Sequence, residues 1–229
     1  SIDLAASLIG TYTVTYSYGN VACSNTATTS ITVKALPQTP IGVSAQRCGP
    51  GTLTLSASTD IGSEIDWYDV PTGGLELYNA TGVTSYTTPS ISTTTTYYAE
   101  SRNGCLSPTR TAITATINPL PTTPTGTGAS NCGTGSVTLS ATAGAGETID
   151  WYSASTGGTL LLSGSTTYTT PSISTTTSYY AQARNTTTGC TSASRVMVTA
   201  TINAVPSAPT GTDASRCSIG SVTLSATAG

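Results

Sequence analysis

Ile65-Asp66-Trp67-Tyr68 recurs as Ile149-Asp150-Trp151-Tyr152, and the sequence around each copy repeats with it. Upstream, Leu53-Thr54-Leu55-Ser56-Ala57 returns as Val137-Thr138-Leu139-Ser140-Ala141, and again as Val222-Thr223-Leu224-Ser225-Ala226. Downstream, Tyr86-Thr87-Thr88-Pro89-Ser90-Ile91-Ser92 returns as Tyr168-Thr169-Thr170-Pro171-Ser172-Ile173-Ser174. Tyr97-Tyr98-Ala99 returns as Tyr179-Tyr180-Ala181. Trp67 to Trp151 and Cys105 to Cys190 give the same step of about 85 residues, and a fixed period of this kind marks tandem copies of one structural unit. Thr alternates with Val, Leu or Ile through these segments, the pattern of strands with one wet and one buried face.

About 85 residues, seven short strands and one inward Trp on the third strand predict an all-β chain of tandem immunoglobulin-like sandwiches arranged end to end. In the first copy the strands are expected near 41–47, 52–57, 64–69, 75–79, 84–88, 94–102 and 109–117, with helix nearly absent. Gly73-Gly74, matched by Gly157-Gly158, predicts a tight hairpin between the third and fourth strands. Pro37-Gln38-Thr39-Pro40, Pro121-Thr122-Thr123-Pro124 and Pro206-Ser207-Ala208-Pro209 punctuate the repeats, each with Gly two residues later. Prolines at this spacing favour an extended joint with few accessible states. The chain therefore reads as the C-terminal part of a preceding module (1–36), two complete modules (37–120 and 121–205) and the N-terminal part of a following one (206–229). A longer array of the same modules is expected.

Composition narrows the function. Of 229 residues, 51 are Thr and 31 are Ser, against 7 Lys+Arg, 10 Asp+Glu and no His. Without histidine these residues hold no Ser-His-Asp triad, Cys-His dyad or His-ligated metal site. Seven basic groups spread along the chain do not track a phosphate backbone, so no nucleic-acid partner is expected. No apolar run approaches the length of a spanning helix, roughly 18 residues or more, so no membrane insertion by a helix is expected. Asp60, Glu64, Asp66 and Asp69 are the densest acidic cluster, but only Asp66 recurs, so a solvated strand face is expected rather than acid-base chemistry. The chain is read as non-enzymatic and without cofactor or metal.

Six cysteines fall in phase with the repeat. The simplest pairing is Cys48–Cys105 and Cys132–Cys190, each tying one end of its own sandwich, with Cys23 and Cys217 needing partners in the missing halves of their modules. Disulfides imply an oxidising, extracellular setting. Asp66/Asp150 and Arg102/Arg184 recur one residue out of phase with the inward Trp or Ala. They are expected to form cross-strand ion pairs on an exposed sheet face, contributing about 0–1 kcal/mol each. Tyr68, Tyr98, Tyr152 and Tyr180 are the candidate glycan-stacking residues, although strand tyrosines more often serve packing. Asn79-Ala80-Thr81 and Asn185-Thr186-Thr187 are formal glycosylation acceptors.

Taken together, Cys-Gly with Thr-Leu-Thr-Leu-Ser-Ala (48–57), Ile-Asp-Trp-Tyr (65–68), Thr-Gly-Gly (72–74), Tyr-Thr-Thr-Pro-Ser-Ile-Ser (86–92), Thr-Thr-Tyr-Tyr-Ala (95–99) and Asn-Gly-Cys (103–105) form a recognisable set. It resembles the bacterial immunoglobulin-like repeats of large Bacteroidota surface proteins. These include giant gliding-motility adhesins of the SprB kind, exported by the type IX secretion system. The resemblance implies a filament or stalk that extends adhesive parts from the cell, outer-membrane-attached and serving gliding or surface attachment. Its partners would be the rest of a long repeat chain, the secretion and motility machinery, and extracellular polysaccharide or surfaces. The alternatives are an array of carbohydrate-binding modules or a spacer of a secreted polysaccharide-degrading enzyme. The resemblance carries no binding residues across, because these repeats share a scaffold rather than a site.

Overall fold

A computed structural model describes residues 8–20, 22–79 and 84–228. Every assigned element among them is a strand. The chain divides into two units, Ser1–Asn118 and Pro119–Gly229, each with its own hydrophobic core.

The first unit opens with an antiparallel hairpin, β1 (Gly10–Gly19) and β2 (Ser24–Val33), in register from Gly10 opposite Val33 to Gly19 opposite Ser24. A sandwich follows, made of β3 (Ile41–Val43), β4 (Ala45–Cys48), β5 (Thr54–Ser58), β6 (Glu64–Tyr68), β7 (Glu76–Asn79), β8 (Ser85–Thr87), β9 (Thr95–Arg102) and β10 (Thr111–Asn118). Its small sheet has the order β3-β5-β8 and its large sheet the order β4-β10-β9-β6-β7. The expected first strand is thus two. After Val43 the chain leaves the small sheet, and β4 joins the large one parallel to β10, with Ala45 beside Ala115 and Cys48 beside Asn118.

The second unit repeats the plan with β11 (Thr125–Thr127), β12 (Ala129–Cys132), β13 (Thr138–Thr142), β14 (Glu147–Tyr152), β15 (Leu160–Leu162), β16 (Thr167–Thr169), β17 (Thr177–Asn185) and β18 (Val196–Asn203). Its sheets have the orders β11-β13-β16 and β12-β18-β17-β14-β15. A short antiparallel pair, β19 (Thr210–Thr212) and β20 (Ser225–Thr227), ends the unit.

Alternation puts every second side chain between the sheets. In the first sandwich Leu55, Ile65, Trp67, Tyr97, Ala99, Ile113 and Ala115 are buried together. In the second, Leu139, Ile149, Trp151, Tyr179, Ala181, Val198 and Ala200 take the same places. Trp67 stacks on Tyr86 at 5.6 Å between ring centroids, and Tyr86 meets Tyr97 at 5.3 Å. Trp151, Tyr168 and Tyr179 repeat this at 5.8 and 5.2 Å. The inward tyrosines are therefore Tyr86, Tyr97, Tyr168 and Tyr179. Their neighbours Tyr98 and Tyr180 point to the outer face.

The split first strand corrects the expected disulfides. Because β4 runs with β10, Cys48 lies at the downstream pole of the module, beside the last residue of β10. Cys105 lies in the β9–β10 hairpin at the upstream pole, where Asn103 N donates to Cys105 O (3.1 Å). The eight residues of β10 separate the poles by about 23 Å at roughly 3.3 Å per residue. A disulfide needs Cα atoms closer than about 7 Å. Cys132, beside Asn203, and Cys190, in the β17–β18 hairpin, stand in the same relation. Cys48 and Cys190 are disulfide-bonded, while Cys105, Cys132, Cys23 and Cys217 carry free thiols. Neither expected pair, Cys48–Cys105 or Cys132–Cys190, is made.

Candidate functional site

The outer face of the large sheet gathers nearly all the recurring charges and exposed-side aromatics. On β6, Glu64, Asp66 and Tyr68 point outward, opposite Arg102, Glu100 and Tyr98 of β9. On β14, Asp150 and Tyr152 face Gln182 and Tyr180 of β17, with Arg184 at the end of the same row.

Arg102 makes a two-point contact with Asp66: Nε donates to Oδ2 at 2.7 Å and Nη2 to Oδ1 at 3.2 Å. Its Nη2 also reaches Glu64 Oε2 at 3.3 Å. Arg184 grips Asp150 in the same way, at 2.7 and 3.2 Å. Ser163 Oγ (2.7 Å) and Gly164 N (3.0 Å) add two more donors to Asp150. The expected exposure of these carboxylates is wrong. Asp66 is 2% exposed and Asp150 4%, each paired with its arginine.

Their surroundings part the two carboxyls. Burial pushes Asp66 above its ordinary 3.8 despite the pull of Arg102, and Glu76 and Glu64 add to the rise. Burial acts on Asp150 in the same sense, but the hydrogen bonds from Arg184, Ser163 and Gly164 outweigh it and hold that carboxyl below 3.8.

The tyrosines are engaged differently. The Arg110 guanidinium stands 3.2 Å from the centroid of the Tyr68 ring, and Arg195 stands 3.4 Å from that of Tyr152. Each arginine also clamps the hairpin that follows its tyrosine. Arg110 Nη1 donates to Val70 O (2.9 Å) and Gly73 O (2.7 Å), and its Nε to Glu100 (3.3 Å). Arg195 Nη1 donates to Ala154 O (2.8 Å) and Gly157 O (2.7 Å), and its Nε to Gln182 (3.1 Å). The hairpin needs its glycines. Gly73, Gly74, Gly157 and Gly158 all have left-handed φ, and a Cβ on Gly74 would lie 2.1 Å from Val70 Cγ2. One face of Tyr68 and of Tyr152 is thus taken by a guanidinium, which removes it from sugar stacking. Tyr98 and Tyr180 are half-buried beside them.

Sequence reasoning missed Arg110 and Arg195. They stand one repeat apart, the step already shown by Cys105 and Cys190, and that spacing was the available signal.

The acidic cluster does not converge on one point. Asp60 Oδ2 accepts from Gln38 N (2.9 Å) and Asp69 Oδ1 from Leu75 N (3.2 Å), while Glu64 and Asp66 share Arg102. Among the described residues no group of three or more His, Cys, Asp or Glu is placed to hold a metal. A groove of about 540 Å³ beside Arg110 is lined by Tyr68, Pro71, Glu100, Leu106 and Pro108. The charged groups on its floor are those of the clamp. Of the glycosylation acceptors, Ala80 and Thr81 lie outside the described residues. Asn185 Oδ1 accepts from Thr187 N and Thr188 N, at 3.0 and 2.9 Å.

Comparison with known proteins places this architecture. The family described as "Ig-like domain CHU_C associated" matches residues 37–119 and 121–203. No curated protein matches the chain. Among solved structures, the chain is similar to the fibronectin(III)-like modules of Clostridium thermocellum CbhA at 12% identity, over 71% of this chain and 90% of that one, with a TM-score of 0.42. It is similar to titin domains A168–A170 at 16% identity, over 83% and 73%, with a TM-score of 0.43. The chicken CNTN1 FN1–FN3 domains share 11% identity over 82% and 74%, with a TM-score of 0.39. With two whole copies of the family's module in tandem, the chain belongs to the CHU_C-associated Ig-like domain family.

Proposed function

We propose that these modules are the spacer segment of a long extracellular adhesin, a stalk that carries adhesive parts away from the cell in surface attachment or gliding. The observation that carries this reading is the repetition of one module whose outer sheet face is spent on itself. In both copies the buried carboxylate is held by an arginine, and a second arginine covers the tyrosine and pins the adjoining hairpin. A repeated structural clamp suits a load-bearing scaffold. A neutral Thr/Ser surface and short proline joints also fit a stalk. An extracellular setting is supported by the bonded state of Cys48 and Cys190. Export by type IX secretion rests on the resemblance of the repeats alone. A non-enzymatic role agrees with the dispersal of the acidic residues into separate structural contacts.

The test is replacement in the parent chain. Exchanging residues 37–203 for two unrelated β-sandwich modules of equal length should preserve surface attachment, scored by cell retention under flow. Loss of attachment on exchange, with the parent chain still displayed, would assign binding to these modules.

A further inference from the structure

We propose that Asn103-Gly104 is a self-modification site, an asparagine set up by Lys34 to lose its side-chain amide through a cyclic imide with the next residue. Every contact that supports it lies within the first unit, and the stalk reading is not needed.

Asn103 is the one asparagine of the chain followed by glycine. It lies in the β9–β10 hairpin, where Asn103 N donates to Cys105 O (3.1 Å) and Cys105 N donates to Asn103 Oδ1 (3.2 Å). The second bond closes a turn that already contains every atom of the imide ring: Cγ, Cβ, Cα and the carbonyl carbon of Asn103, and the nitrogen of Gly104. The Cys105 N–H also faces the oxygen on which charge develops when Cγ is attacked. The attacking nitrogen is open. Gly104 is exposed, has no side chain to block the approach, and its N–H has no hydrogen-bond partner among the described residues.

Lys34 acts on the same peptide group. Its Nζ donates to Asn103 O (3.1 Å), the oxygen that shares the charge when Gly104 N gives up its proton, so the cation favours the reactive form. Asn103 Nδ2 donates to Ala35 O (3.3 Å). A hollow of about 180 Å³, lined by Gly62, Glu64, Arg102, Asn103 and Gly104, leaves room beside the pair for the water that the last step consumes.

The equivalent hairpin of the second module gives the contrast. Asn185 Oδ1 accepts from Thr187 N (3.0 Å) in a similar turn, but the next residue is the β-branched Thr186, whose N donates to Gly146 O (3.0 Å). That nitrogen is both crowded and engaged, so Asn185 keeps its amide.

The step needs no oxidant or reductant. Gly104 N loses its proton and bonds to Asn103 Cγ, the Cγ–Nδ2 bond breaks, and ammonia leaves. Water then opens the imide at either carbonyl to give aspartate or isoaspartate. The sum is asparagine plus water giving the acid plus ammonia, and the hairpin gains a carboxylate near Lys34.

The test follows this amide in the whole folded chain, held at mildly alkaline pH and then digested with pepsin in acid, where the digestion converts little. The peptide holding Asn103 should gain the mass of an NH-for-O exchange and become a substrate for protein isoaspartyl methyltransferase. It should do so at least as fast as in the urea-unfolded chain, while the peptide holding Asn185 stays unchanged. Lys34→Gln should slow the folded chain severalfold and leave the unfolded rate unaltered. An Asn103 that keeps its amide in the folded chain while the unfolded chain converts would overturn the proposal. So would a folded-state rate that Lys34→Gln does not change.

Discussion

Arg110 stands over Tyr68 with its guanidinium carbon 3.2 Å from the ring centroid while donating to two carbonyls of the hairpin that Tyr68 begins. One side chain from the edge of β10 thus fixes the outer face of β6 and the path of the chain toward β7. Its counterpart Arg195 does the same in the second module. Each clamp joins three strands of one sheet.

Arg110→Ala should therefore destabilise the first module by about 2–4 kcal/mol. It removes a stacked cation and hydrogen bonds, and leaves Glu100, 8% exposed, without its partner. Arg110→Lys should recover only part of this, since an ammonium neither stacks as a plane nor spans the same acceptors. Urea unfolding gives the cost, and amide exchange should quicken first at residues 70–75.

The ion pairs predict an asymmetry. Arg102 is 41% exposed and Asp66 3% at the side chain, so losing Asp66 leaves a cation that water can reach, while losing Arg102 strands a buried carboxylate. Arg102→Met should cost about 3–5 kcal/mol and Asp66→Asn about 1–3 kcal/mol. Equal costs of under about 1 kcal/mol, measured by denaturant unfolding, would return the pair to the exposed class.

The same carboxylates should respond to pH with opposite sign. Asp150 is held below 3.8 in the folded state, so it contributes stability that is present above that value and lost as pH falls through its folded pKa. Asp66 is raised, so its folded form favours the proton, and stability is gained as pH falls through its folded pKa, above 3.8. Carbon-detected NMR titration of the two carboxyls should place Asp66 above and Asp150 below 3.8.

Gly42 and Gly126 are required by close approach rather than by backbone conformation. A Cβ there would lie 2.3 Å from Ile113 Cγ1 and from Val198 Cγ2 respectively. Gly42→Ala and Gly126→Ala should each cost about 1–3 kcal/mol through overpacking. Gly211→Ala, where a Cβ meets nothing within 4 Å, is the control and should leave unfolding unchanged.

Much of this fold could be read from the alternation around Trp67 and Trp151, because a period of two states which side chains meet between sheets. The glycine two residues after each proline pair was visible too, though its partner across the core was not. What escaped was the change of sheet after Val43. Ile41 to Cys48 alternates as one strand would, and nothing local reveals that its second half pairs parallel to β10. That one crossing sends Cys48 to the far pole and undoes the pairing suggested by spacing. Burial of Asp66 was equally hidden, since a charged residue on an outward position reads as wet until its pairing with an arginine is known. Arg110 and Arg195 were legible as a pair from their repeat spacing, but nothing near either of them in the chain points to the tyrosine it covers.

On the proposed stalk reading the outer sheet face serves structure, and no glycan binding by it is expected. Binding of the oxidised, folded chain to a glycan array tests this most directly. No saturable binding to any glycan class is predicted, and Tyr98→Ala with Tyr180→Ala should change nothing on the array. Saturable binding to one class, abolished by that double substitution in a chain that still folds, would contradict that reading.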